Sequence, residues 1–173
     1  MTHQVFERLC GLDVPDFTDD NWKSRIRHHV RILDEYRELP DWHDREIADI
    51  MCSDSIGAIA QFLIDNTSHD YPGWLSRVSS SAQPVNYLIE VNATPERCST
   101  PFYVSRHQYD LMRRHASTGS TPASAVTIYA LVRVYNVFSD NIGVQVYIDP
   151  WHLKDTILEF KADEYMVRET RDR

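Results

Sequence analysis

Apolar positions along the chain fall into helical stripes in its first third and into strand-like runs in its second half. Trp22, Ile26, Val30 and Leu33 recur at spacings of four, four and three. That is one face of a helix, and Asp19 or Asp20 stands where its N-cap would be. Gln4 to Cys10 reads as a shorter helix closed by Gly11, and Pro40 ends the unit. Ile56, Ile59, Ala60, Leu63 and Ile64 predict a second amphipathic helix that opens at Ser53 or Asp54. Beyond it, residues 65–81 are rich in Asp, Asn, Ser, Pro and Gly and read as a long connection.

The pattern then changes period. Val85 to about Asn92 is a mostly apolar strand, and the stretch from Ala125 to Val137 is apolar on both faces, the mark of a central strand. Between them Ser105 and Gln108 form a capping box, with Val104 and Tyr109 placed as a hydrophobic staple, so a helix starts at Arg106. Ser139, Asp140 and Asn141 turn the chain into a return strand from Ile142 to Ile148. Asp149, Pro150 and Trp151 predict a short helix, and residues 157–160, with 165–167 after them, an edge strand. Helices first, then strand, helix and three strands, predict an α/β (α+β) chain with a mixed sheet flanked by helices. One domain is expected, with residues 1–40 as an N-terminal helical extension, 41–168 as the core and 169–173 as a frayed tail.

Composition narrows this picture by exclusion. A formal net charge of −8 argues against broad, non-specific nucleic-acid binding and leaves only a local basic patch for that purpose. Cys10, Cys52 and Cys98 are odd in number and far apart, which supports neither a disulfide framework nor a zinc finger. The first ten residues carry no leader pattern, and no run approaches the roughly 20 apolar residues of a membrane span. An intracellular, reducing setting, in cytoplasm or nucleus, is the expectation. No phosphate-binding glycine loop and no nucleophile elbow is present.

One strand carries chemistry. Glu90 and Asn92 lie two positions apart in the run from Tyr87, so their side chains share a face. A carboxylate in a buried strand is costly unless something pairs with it. The bland expectation is a half-buried acid in an ion pair, with Asn92 as a hydrogen-bonding residue at the core edge. His107 and His115, on the capped helix, read as surface or packing residues rather than ligands.

The run 87–94 (Tyr-Leu-Ile-Glu-Val-Asn-Ala-Thr), then 99–109 (Ser-Thr-Pro-Phe-Tyr-Val-Ser-Arg-His-Gln-Tyr), then 129–137 (Tyr-Ala-Leu-Val-Arg-Val-Tyr-Asn-Val) resembles the NO VEIN C-terminal domain family. Its fungal-type members also have counterparts of 21–27 (Asn-Trp-Lys-Ser-Arg-Ile-Arg) and 146–155 (Val-Tyr-Ile-Asp-Pro-Trp-His-Leu-Lys-Asp). The similarity spans roughly Phe6 to Val167. It implies a restriction-endonuclease-like fold of the PD-(D/E)XK superfamily, in which an upstream acid and a Glu-x-Lys strand hold magnesium and activate water. By that resemblance Glu90 is the strand acid, Asn92 stands at the lysine position, and Asp70 is the upstream acid and metal ligand, with Asp65 as second choice.

Asparagine carries no positive charge, and one lost contact to a developing phosphorane typically costs roughly 10²–10³ in rate. The reading is therefore a pseudo-enzyme, a binding or protein-interaction module without a cofactor. The alternative is a Mg²⁺-dependent nuclease in which Arg97, Arg106 or Lys154 replaces the lysine. A protein partner, a nucleic acid on a local basic patch, and a homodimer all stay open.

Overall fold

The computed structural model describes residues 11–12, 17–24, 37–38, 40, 43, 47–76, 84–117 and 126–161. The expected helix 4–10, most of the stripe from Ile26 to Leu33, and the strand 165–167 lie outside these residues. Four strands and two helices make up the described core: β1 (Ile50–Asp54), α1 (Ala58–Asp65), β2 (Val85–Ala93), α2 (Arg106–Arg114), β3 (Val126–Tyr135) and β4 (Gly143–Ile148). The strands form one mixed sheet in the order β1-β2-β3-β4. β1 runs antiparallel to β2, β2 parallel to β3, and β4 antiparallel to β3. The parallel pair is joined through α2, because parallel neighbours need a crossover and cannot be closed by a tight turn. The fold is α+β, as the hydrophobic pattern predicts.

Alternation along the strands gives the sheet two unlike faces. On one, Tyr87 and Ile89 of β2, Ile128, Ala130, Val132 and Val134 of β3, and Ile148 of β4 pack against Ile59, Ala60 and Leu63 of α1. On the other, Leu88 and Tyr129 meet Leu111 and Met112 of α2, while Leu131 and Tyr147 meet Leu153. A helix therefore covers each face. Glu90 and Asn92 project to the α2 side, since they alternate with Ile89 and Val91.

Three local outcomes differ from the sequence expectation. Trp22 is not on a helix: a 3₁₀ turn covers Asp19–Asn21, and Trp22 then bridges Ile50 in extended conformation, fully buried. With Lys23 N donating to Asp49 O at 2.7 Å, this segment covers the outer edge of β1. Residues 50–54 form a strand where the pattern suggested only an approach to a helix. The helix opens later, at Ala58, behind a left-handed Gly57 with φ 82°. Its cap comes from Asp54, whose two carboxylate oxygens accept from the backbone of Ile56, Gly57 and Ile59.

Residues 149–157 form successive turns rather than a helix, and a single bridge between Lys154 and Leu158 stands in place of the edge strand. Asp149, with φ 52°, ties the turns together by accepting from His152 N and Ser117 N. The outer edge of β4 is instead met by the connection after α1, where Val146 N donates to Asn66 O at 2.8 Å. Both sheet edges thus carry a covering segment.

The capping box of α2 is present in both directions: Gln108 N donates to Ser105 Oγ at 3.1 Å, and Ser105 N donates to Gln108 Oε1 at 2.6 Å. Replacing Ser105 by alanine removes one of the two bonds, and thermal unfolding is expected to show a loss of about 1 kcal/mol. A loss indistinguishable from zero would mean that α2 is held by its packing alone.

Candidate functional site

The site lies where β1, β2 and β3 meet the start of α2. Continuing the β1–β2 register one residue beyond Ile50 and Ile89 puts Asp49 opposite Glu90. Asp49 is 5% exposed, and its Oδ2 accepts from Val91 N at 2.9 Å. Glu90 is half-buried and receives a short hydrogen bond from Gln108 Nε2. One amide therefore links the start of α2 to the strand acid, because the oxygen of Gln108 is used by the capping box and its nitrogen by Glu90.

Tyr129 completes the acidic end. It lies on β3 beside Leu88, 1% exposed, with a hydroxyl that has no hydrogen-bond partner among the described residues. Burial, then the charges of Glu90 and Asp49, push its phenol above the ordinary range. The two acids and the phenol together make a region rich in acceptors.

Two residues along the strand the chemistry changes sign. Asn92 faces Arg133 on β3, and Arg133 Nη1 donates to Asn92 Oδ1 in a short bond. Nη2 donates to Thr100 O at 3.2 Å, and the guanidinium lies over the Phe102 ring, 4.6 Å from its centroid. Arg133 is 1% exposed. The two terminal nitrogens are thus held by an amide and a carbonyl and the plane by an aromatic face, while Nε has no hydrogen-bond partner among the described residues.

The residues expected from sequence therefore divide. Glu90 and Asn92 share one face of β2, as their spacing requires. Asp70 does not join them: it is exposed in the connection after α1, next to the residues that lie along β4, two strands from β2. Asp65 is exposed at the end of α1, where Gln61 Nε2 donates to it at 2.6 Å. The acid that register brings to Glu90 is Asp49. Nor do the expected substitute cations arrive. Arg97 is exposed, Arg106 lies 3.8 Å from Asp110, and Lys154 lies 3.0 Å from Asp155. The cation beside Asn92 is Arg133. A lone arginine in an otherwise apolar strand was the same kind of signal as a lone glutamate, and it marks the position as clearly as Glu90 marks its own.

Two carboxylates on neighbouring strands suit a hard divalent ion such as magnesium, which is bound through one or two carboxylates with water and phosphate oxygens completing its shell. Among the described residues no group of three or more His, Cys, Asp and Glu side chains is placed to hold a metal ion. Asp49 and Glu90, brought opposite each other by register, are the two carboxylates such an ion would use. No helix among the described residues is long and apolar enough to cross a membrane. No family model, curated protein or solved structure matches the chain.

Proposed function

We propose that this chain is a binding or protein-interaction module built on a restriction-endonuclease-like scaffold whose hydrolytic centre is no longer complete. The observation that carries this reading is the position of Arg133. It is the cation nearest the lysine position held by Asn92, and it is buried, forked onto Asn92 and Thr100 and stacked on Phe102. A cation stabilises a phosphorane only where it can touch the phosphoryl oxygens, and a covered guanidinium cannot do so. Asn92 in turn uses its carbonyl oxygen on the arginine and not on a substrate. The strand order, with an acid-bearing strand antiparallel to one neighbour and parallel to the other through α2, supports descent from such a scaffold.

A second reading has one observation in its favour, the placement of Asp49 opposite Glu90. If the chain is a metal-dependent nuclease, Asp49 and Glu90 are the ligands, and magnesium there would polarise a phosphate and lower the pKa of a bound water. Gln108 would then orient Glu90, and Tyr129 would offer its hydroxyl to the same oxygen-rich space.

The deciding measurement is cleavage of single- and double-stranded DNA and RNA with Mg²⁺ or Mn²⁺. The native chain is expected to give no cleavage above background, with Glu90→Ala and Asn92→Lys indistinguishable from it. Cleavage by the native chain that disappears in both Glu90→Ala and Asp49→Ala would establish the nuclease. Titration with the same nucleic acids at low salt, without metal, separates a nucleic-acid ligand from a protein one.

A further inference from the structure

We propose that this chain associates with itself head to tail, the β3–β4 loop of one copy seating Phe138 in a groove beside α1 of the next. The proposal stands apart from the nuclease-like reading of β2 and uses neither Glu90 nor Arg133. It starts from an exposed ring. Phe138 is 89% exposed, and Ile142 in the same loop is 46% exposed. Scattered apolar residues on a surface are ordinary, but an aromatic ring held almost wholly in water by an ordered loop is unfavourable until a partner covers it.

The loop is built to hold the ring there. Asn136 takes a left-handed turn at φ 55° and donates its backbone N–H to Glu96 O at 2.9 Å. Val137 N donates to Thr94 O at 3.2 Å, and the Val137 side chain packs against the core on the α1 side. Beyond the ring, Ser139 N and Ser139 Oγ both donate to Asn136 O, and Asn141 N donates to Ser139 Oγ at 3.1 Å. Asn136 Nδ2 closes the loop by donating to Asn141 O at 3.3 Å. Phe138 is thus flanked on both sides by fixed backbone, and docking it orders little that is not already ordered.

The charge of the loop selects the kind of partner. From Val134 to Ile148 the sole ionised side chain is Asp140. A segment that enters a membrane surface carries Lys or Arg to meet anionic headgroups, and this one carries an acid. A protein socket without acidic side chains is the better fit.

The same chain offers such a socket. Ile56, Ala58, Ala60, Ile64 and Leu75 line a groove of about 270 Å³ along α1, with Gln61 and Ser76 adding uncharged polar groups. An aliphatic cavity of about 150 Å³ takes a benzene ring, so this groove has room for the ring of Phe138. Ile56 at its edge is itself exposed, which leaves the groove open to a second molecule.

Sheet register keeps ring and groove apart within one copy. Asp54, shortly before α1, pairs with Val85 at the start of β2. The loop leaves β3 beyond Val134, which pairs with Ala93 at the end of β2. The two features therefore lie toward opposite ends of the sheet, and a loop anchored at both of its own ends reaches a groove only in another copy. A contact between two unlike patches is heterologous, and its repetition gives a ring or an open chain of copies in place of a closed two-fold dimer.

Sedimentation velocity of the full chain, from micromolar to millimolar concentration, is expected to show a mass that rises beyond the dimer. Phe138→Ala removes the ring, and Gln61→Trp fills the groove from its exposed rim. Each is expected to weaken the association at least about tenfold, the usual effect of losing an anchoring side chain. Both positions are exposed, so both variants are expected to keep the native melting temperature. Mixed in equal amounts they complement each other: the first retains a groove and the second a ring, so a mixed dimer forms and grows no further. A native chain that stays monomeric throughout overturns the proposal. So does association that either substitution leaves unchanged, or a mixture that associates no better than its components. A monomeric chain that binds phosphatidylcholine vesicles through Phe138 overturns it as well and assigns the loop to a membrane surface.

Discussion

Replacing Asp54 by alanine is expected to destabilise the protein by about 3–4 kcal/mol. Asp54 is fully buried at the end of β1. Its Oδ1 accepts from Ile56 N and Gly57 N, both at 2.9 Å, and its Oδ2 from Ile59 N at 2.7 Å. The first turn of any helix leaves donors without intrahelical partners, and Gly57 at the N-cap has no side chain with which to serve them. One carboxylate therefore does for α1 what Ser105 and Gln108 together do for α2. Alanine leaves three backbone N–H groups at a buried junction, each costing about 1–3 kcal/mol if no water reaches it. Part of that cost is relieved by local movement, which brings the total to the stated range.

In a chain of this size 1 kcal/mol moves the melting temperature by about 2–4 °C, so a fall of roughly 6–16 °C is the expected reading. Asparagine keeps one acceptor oxygen and ranks with aspartate as a cap, so Asp54→Asn is expected to lose less than half as much. An alanine variant that melts within about 2 °C of the native protein would show that α1 is held by its apolar face alone.

The second large effect concerns Arg133, where the expected result is a contrast between two substitutions. Arg133→Ala should cost about 3–5 kcal/mol. It leaves a cavity against the Phe102 ring and deprives Asn92 Oδ1 and Thr100 O of their donor. Arg133→Met fills most of the same volume with a flexible apolar chain and should cost about 1 kcal/mol, chiefly from the two acceptors. The reasoning is that a buried cation held only by neutral groups contributes little net stability, because its desolvation offsets its contacts. Urea unfolding of both variants measures the difference. Equal losses would assign the stability to the hydrogen bonds and not to the filling of space, and would imply that the charge is retained for its own sake.

The same variants bear on function. If the chain is a binding module with a closed centre, Arg133→Met should leave ligand binding intact while it changes stability, because the guanidinium is covered. A variant that folds normally and loses its ligand would mean that Arg133 is uncovered in the bound state.

Several features were legible in the order of residues because their causes are local. The capping box at Ser105 and Gln108 depends on a spacing of three, and the β3–β4 turn on Ser139, Asp140 and Asn141 between apolar strands. The central position of β3 follows from apolar residues on both its faces, and the shared face of Glu90 and Asn92 from the period of a strand. Each of these needs no knowledge of which element lies beside which.

Other features depended on neighbours that sequence does not name. Residues 50–54 are too short and too mixed for periodicity to separate a strand from a helix approach, and it is pairing with β2 on one side and Trp22 on the other that makes them a strand. Trp22 fits a helical stripe, yet it is fully buried against the outer edge of β1 in extended conformation. The turns after Asp149 begin with a non-glycine residue at positive φ, away from the extended conformation an aspartate N-cap ordinarily takes.

The acid on β2, Glu90, shows the division most plainly. Sequence alone determined that Glu90 sits in an apolar strand with Asn92 on its side, and that no lysine follows it. It could not determine what lies across the sheet. Only strand register decided that Asp49, and not Asp70, stands opposite Glu90, and that Arg133 stands opposite Asn92. The physical reason is that hydrogen-bonded partners on neighbouring strands are tens of residues apart in the chain. Their pairing is set by the burial of both faces at once, a property of the whole sheet and not of any one strand.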